Sequence, residues 1–95
     1  MVVGVGVIRF RIHDCRSLKG KRGVVRSIIR RIQNQFNISI AEVGLNDVHQ
    51  RAEIGFALVG NDSRVINTKL DKVFNLADEL GLAEMLETDM EILHL

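Results

Sequence analysis

Three places in this 95-residue chain hold residue types that could do chemistry. His13-Asp14-Cys15 sets a base, an acid and a nucleophile side by side. Gly4-Val5-Gly6 carries the glycine spacing that opens a dinucleotide-binding fingerprint. Lys19, Arg22, Arg26 and Arg30 recur at the spacing of one helix face. The first would be nucleophilic or metal chemistry, the second nucleotide binding, the third the capture of an anion.

The first two fail on geometry. Neighbouring residues on an extended segment point apart, so His13, Asp14 and Cys15 cannot converge on one substrate. The other imidazoles are His49 and His94 alone, and there is no CxxC pair, so metal-ligand spacing is missing as well. A dinucleotide fingerprint needs its glycines after a strand, where a helix begins. Here they lie inside a β-branched run, with Gly6 eleven residues before the first helix cap, Ser17. They read as strand glycines, at a bulge or a close contact. The expectation is a non-enzyme with no catalytic residues, no metal and no cofactor.

The basic row survives this test. On a helix, Lys19, Arg22, Arg26 and Arg30 fall within an arc of about 80° beside the apolar face. Arg16 and Lys21 crowd the helix start, Arg31 adds charge elsewhere, and no acidic residue occurs from Arg16 to Ala41. Like charges four residues apart repel by roughly 0.2–0.5 kcal/mol per pair. Such a row calls for an external anion, most simply a phosphate backbone. The rival reading is a solvated face, or one met by the protein's own acidic half. That half exists: residues 1–41 carry a net charge of +8 and residues 42–95 a net charge of −7, which leaves +1 for the whole.

The elements that must position these residues follow from periodicity. Val2 to His13 alternates, with Ile8, Phe10 and Ile12 on one side and Val3, Val5, Val7, Arg9, Arg11 and His13 on the other. From the Ser17 cap to about Phe36 the period is helical, with Leu18, Val25, Ile29, Ile32 and Phe36 inward, widened by Val24 and Ile28. Asn37 suits the left-handed conformation that ends a helix. Ile38 to Val43 reads as a short strand, residues 44–49 as a loop, and Gln50 to Val59 as a strand. A second helix follows the turn Gly60-Asn61-Asp62-Ser63 and runs to about Leu80, with Gly81 as its stop. Its inward residues are Ile66, Leu70, Val73, Ala77 and Leu80. Glu84 to Leu95 is the last strand, with Leu86, Met90 and Ile92 inward.

Strand, helix, strand, strand, helix, strand is the split βαβ pattern of the ferredoxin-like fold. It predicts an α+β sandwich over residues 1–95, an antiparallel sheet of order 4-1-3-2, and both helices on one face. The core must be aliphatic, because there are four Phe and no Trp or Tyr. Phe10 and Phe56 share the parity of the core residues, which removes the exposed sheet aromatics on which RNA-recognition motifs stack bases.

The open face of the sheet has two parts. Arg9 and Arg11 should meet Glu87, Asp89 and Glu91 across adjacent strands. Val5, Val7, Ala57 and Val59 form an apolar patch that suits a homodimer or partner contact, against the plainer reading of an exposed sheet. The single cysteine cannot form an internal disulfide. The N-terminal apolar run ends at Arg9, too short for a membrane span and without a signal-peptide pattern. A cytoplasmic protein without membrane contact is expected.

Over nearly its full length the chain resembles the YlxP-like family of small bacterial proteins of unknown function. The resemblance rests on Ser17-Leu18-Lys19-Gly20-Lys21-Arg22, Val24-Val25-Arg26-Ser27, Phe36-Asn37, Ala41-Glu42-Val43, Asp47, Gln50-Arg51-Ala52 and Gly60-Asn61-Asp62. Gly20, Gly23 and His49 depart from it: an acidic residue is common at the first and a Trp at the last. The resemblance implies a ferredoxin-like domain and a gene neighbourhood shared with translation initiation and ribosome-maturation factors. It brings no established activity.

The expected function is an RNA- or ribosome-associated accessory protein. Lys19, Lys21, Arg22, Arg26 and Arg30 would meet phosphates, with Arg16 and Arg51 in support. The alternative is a protein-interaction or oligomeric adaptor that uses the open sheet face.

Overall fold

The computed structural model describes residues 1–95. Its elements are β1 (Val2–Arg11), α1 (Leu18–Gln33), β2 (Ser39–Gly44), β3 (Arg51–Gly60), α2 (Ser63–Glu79) and β4 (Glu84–His94). The sheet is antiparallel in the order β2-β3-β1-β4, which is the expected 4-1-3-2 read from the other edge. The βαββαβ ferredoxin-like arrangement is therefore present.

Alternation decides which side of the sheet the helices cover. Along β1 every even residue from Val2 to Phe10 is buried and the odd residues from Val3 to Arg9 are half-buried. β3 repeats the pattern with Ala52, Ile54, Phe56 and Leu58. Against this layer α1 lays Val25, Ile28 and Ile32, and α2 lays Ile66, Leu70, Val73 and Ala77. Burial of each such aliphatic side chain stabilises the fold by roughly 1.5–3 kcal/mol. Phe56 and Phe74 meet edge to face with centroids 5.4 Å apart.

The β1 glycines are explained by close approach. A Cβ on Gly4 would stand 2.6 Å from Ile66 Cγ2, and one on Gly6 would stand 2.5 Å from Phe56 Cζ. α2 lies directly over this part of β1, so no side chain fits there.

The helix starts match expectation. Ser17 is extended and its Oγ accepts the Gly20 N–H at 3.0 Å; Asp62 accepts the Arg64 N–H at 2.8 Å. Gly81 takes the left-handed conformation, φ 63°, just past α2.

Two local expectations are corrected. α1 ends at Gln33, and its cap Asn34 keeps right-handed helical angles, so Asn37 plays no left-handed role. The chain leaves the helix through Phe36 N–H to Ile32 O and Ile38 N–H to Phe36 O instead. In β4 a register shift opposite Arg9 and Phe10 pairs Phe10 with Met85 and Arg9 with Glu87. The extra residue, Leu86, is thrown out of the inward series, and Met85 packs on the core in its place. Met90 keeps the inward parity opposite Gly6, but at this edge strand it stays 43% exposed.

Candidate nucleic-acid interface

The outer surface of α1 is where the sequence placed its phosphate-binding residues. Lys19, Arg22, Arg26, Arg30 and Arg31 are all exposed, as is Arg16 in the loop before the helix. The ion pairs of the molecule engage Arg9, His13 and Lys21 only, so none of these six cations has an acidic partner. Arg26, Arg30 and Arg31 line an open groove with Gly23, Ser27 and Asn34, and no hydrophobic residue takes part. Gly23 sits in the middle of the row, and a Cβ there would meet nothing within 4 Å. The row therefore has a gap at its centre where the helix backbone is open to a ligand.

The carboxylates of β4 do not cover this surface. Glu87, Asp89 and Glu91 belong to β4 and share the parity of Val5, Val7 and Arg9, on the opposite side of the sheet from the helices. No ion pair neutralises the row within the fold.

Lys21 is a correction. Its neighbours in sequence are exposed, but Lys21 itself is fully buried. At 100° per residue it points down between the apolar positions, toward Val25 and Ile28. Its Nζ donates to the carbonyls of Leu45 at 2.6 Å, Arg51 at 3.2 Å and Asn46 at 3.3 Å. Those three bonds use all three ammonium protons. Glu42 Oε2 lies 2.9 Å from the same nitrogen and makes an ion pair without a hydrogen bond of its own. Lys21 thus ties the turn from Leu45 to Arg51 onto α1 and is closed to phosphates. The signal available in the sequence was Glu42, the first acidic residue after a basic stretch, on the inward parity of β2.

Arg51 also leaves the helix surface. It pairs in register with Arg11 on the open side of the sheet, exposed and without an acidic partner. Lys19, Arg22, Arg26 and Arg30 share the exposed side of α1, Arg16 lies in the loop before it, and Lys21 and Arg51 lie elsewhere.

The open face arranges its charges differently. Arg9 Nε bonds Glu53 at 3.2 Å, and Nη1 bonds Asp89 at 3.0 Å and Glu87 at 3.1 Å. The Asp89 hydrogen bond raises the Arg9 pKa above the ordinary arginine value; desolvation, the next largest influence, opposes it, and Glu87 and Glu53 add to the rise. A raised cationic pKa contributes stability at all pH values below the ordinary one and loses it only in strong alkali. Arg11 does not join this ladder, because Glu84, its neighbour on β4, holds His13 at 2.6 Å. Glu91 stands opposite Val5.

Val5, Val7 and Ala57 are half-buried and Val59 is 64% exposed. Val43, the extra residue at the β2 register shift, folds over Gly55 and extends this patch to the β2 edge. Phe10 and Phe56 are buried, so the sheet offers no stacking surface for bases. Cys15 is buried and donates to Ser17 O at 3.3 Å. No helix is long and apolar enough to cross a membrane.

The chain is 38% identical over 80 residues to Uncharacterized protein YlxP of Bacillus subtilis (strain 168), an overlap of 84% of this chain and 87% of that one. Among solved structures, a candidate chlorite dismutase, TA0507, aligns with a TM-score of 0.49 and 14% identity. That alignment spans 97% of this chain and only 44% of the larger protein. SnoaB, a cofactor-independent oxygenase from Streptomyces nogalater, aligns with a TM-score of 0.46 and 11% identity over 98% of this chain and 92% of its own. The chain belongs to the family described as protein of unknown function (DUF503), which matches residues 3–90.

Proposed function

We propose that this DUF503-family protein is a non-catalytic accessory factor that binds RNA or a ribosomal particle through the outer face of α1. The observation that carries this reading is the exposed row Lys19, Arg22, Arg26 and Arg30, with Arg16 and Arg31 beside it and no carboxylate in reach. Repulsion along the row is tolerated in the free protein and relieved when phosphates arrive. Contacts of this kind position a backbone without reading bases, so the binding is weakly sequence-specific. A cytoplasmic setting suits such a partner.

Filter binding of a structured RNA across a salt series tests this. Neutralisation of about four to six phosphates gives a slope of log K against log[salt] of roughly −3 to −5. Joint replacement of Arg26 and Arg30 by Ala reduces that slope by about 1 to 2 and weakens different RNAs to a similar extent. Absence of RNA binding at low salt, or a double variant that binds as wild type, defeats the reading.

A further inference from the structure

The open side of the sheet carries a second feature that the helix surface lacks: an apolar patch with an acidic border. In register across the strands, Leu93, Val3 and Val59 form one row; Glu91, Val5, Ala57 and Ser39 the next; Asp89, Val7, Gly55 and Ala41 the third. A fourth row holds Glu87, Arg9 and Glu53. The centre is therefore valine and alanine, and the β4 side is a line of three carboxylates at every second residue. Arg9 is the one cation among Glu53, Glu87, Asp89 and Glu91, so these rows carry a net negative charge, while the next row, Glu84, Arg11 and Arg51, is net positive. Asp89 and Glu87 remain 72% and 63% exposed although they bond Arg9, so both can accept further donors.

The size of the patch selects its occupant. Three strands about 4.8 Å apart and three same-face rows about 7 Å apart define roughly 300 Å² of apolar surface. A stable dimer buries about 800 Å² from each partner, polar rim included, so the apolar centre would supply only part of such an interface. A second copy would bring the same carboxylates, offset only by Arg9, Arg11 and Arg51, while its basic helix row lies on its far side. An isolated segment of chain fits better, one with apolar side chains for the valines and cations for the carboxylates. We infer that the open sheet face docks a short basic segment of another protein, its apolar residues on Val5, Val7 and Ala57 and its lysines or arginines against Glu87, Asp89 and Glu91. The docking is independent of whether α1 binds RNA. It leaves the two surfaces free to be occupied together, nucleic acid on one side and a basic protein tail on the other.

Fluorescence anisotropy tests this with labelled peptides of about twelve residues that alternate leucine with lysine, leucine with glutamate, or serine with lysine. The leucine–lysine peptide binds at least about tenfold more tightly than either other, and its binding weakens with salt. Val7→Asp and Glu91→Lys each weaken it about tenfold at unchanged melting temperature. Glu91 lies at an exposed edge, so that variant remains informative if Val7→Asp impairs folding. Equal binding of the leucine–glutamate or serine–lysine peptide, or a wild-type affinity in the Glu91→Lys variant, overturns the proposal. So does sedimentation that finds the 10.7 kDa chain dimeric at micromolar concentration and monomeric as Val7→Asp, because the occupant is then a second copy.

Discussion

On the outer side of α1, Lys19, Arg22, Arg26, Arg30 and Arg31 stand without a carboxylate between them; on the open side of the sheet, Arg9 alone is shared by Glu53, Glu87 and Asp89. Both surfaces are charged, and they differ in how that charge is satisfied. Arg9 is settled within the fold and has little reason to leave its partners. The α1 cations stand exposed on the helix without an ion-pair partner. An unsatisfied row can give its whole Coulomb interaction to a ligand, whereas a paired group must first surrender what it has. On the proposed reading the difference directs phosphates to the helix and leaves the carboxylates of the sheet to a cationic partner.

The sharpest way to break this comparison lies within α1 itself, between Lys19 and Lys21. Lys21→Met strands Glu42 without a counter-charge and leaves the Leu45, Asn46 and Arg51 carbonyls without their donor. Removal of one partner from a buried pair costs about 3–5 kcal/mol. Lys19→Met, at an exposed position, changes stability by less than about 0.5 kcal/mol. Urea melts of the two variants measure this. If the losses are equal, Lys21 belongs with the surface row after all.

A smaller effect is expected where α2 presses on the sheet. Gly6→Ala forces a Cβ to 2.5 Å from the Phe56 ring and 3.0 Å from Phe74 Cζ. Overpacking of this kind costs about 1–3 kcal/mol, read as an earlier denaturant midpoint. RNA binding by the folded fraction should not change, because the strain lies in the layer between the two surfaces.

What the sequence disclosed, and what it hid, follows the same physical division. Alternation in β1 and β3 and the helical period of α1 and α2 are repeated many times over, so strand faces, helix faces and sheet order were all legible. Single-residue events were not. The extra residue at Leu86 reverses parity once, within a strand whose pattern is already loose. The inward turn of Lys21 was masked by its basic neighbours, since residue type alone cannot separate one lysine in a pocket of carbonyls from the next one in water. Arg51 was linked to the helix by charge, although strand parity had already placed it with Arg11 on the other face.

Arg51 supplies the next test of the two-surface division. Arg51→Ala should reduce the salt slope of RNA binding by less than about 0.5, against about 1 to 2 for the Arg26 and Arg30 pair. Its backbone carbonyl still receives Lys21, so the Leu45–Arg51 turn is preserved. A slope change as large as that of the helix pair would mean that the nucleic acid wraps around the sheet end and reaches both faces.

The smallest effect concerns Gly23, the gap in the basic row. A glycine inside an exposed helix destabilises it by about 0.8–1.0 kcal/mol relative to alanine. No packing constraint explains its presence, because a Cβ there would touch nothing within 4 Å. Gly23→Ala should therefore raise stability by up to about 1 kcal/mol, partly through a less flexible unfolded chain. Its consequence for RNA binding then tells what the gap is for. If phosphates are held only by the long side chains of Lys19, Arg26 and Arg30, an added methyl group at the base of the groove leaves affinity and salt slope as they were. If the backbone of the nucleic acid descends onto the helix at Gly23, the same methyl group lowers affinity for every RNA alike. The salt slope stays constant in that case, because no cation has been removed. A thermal melt together with a two-salt binding titration of Gly23→Ala distinguishes a row that reaches outward from a groove that is entered.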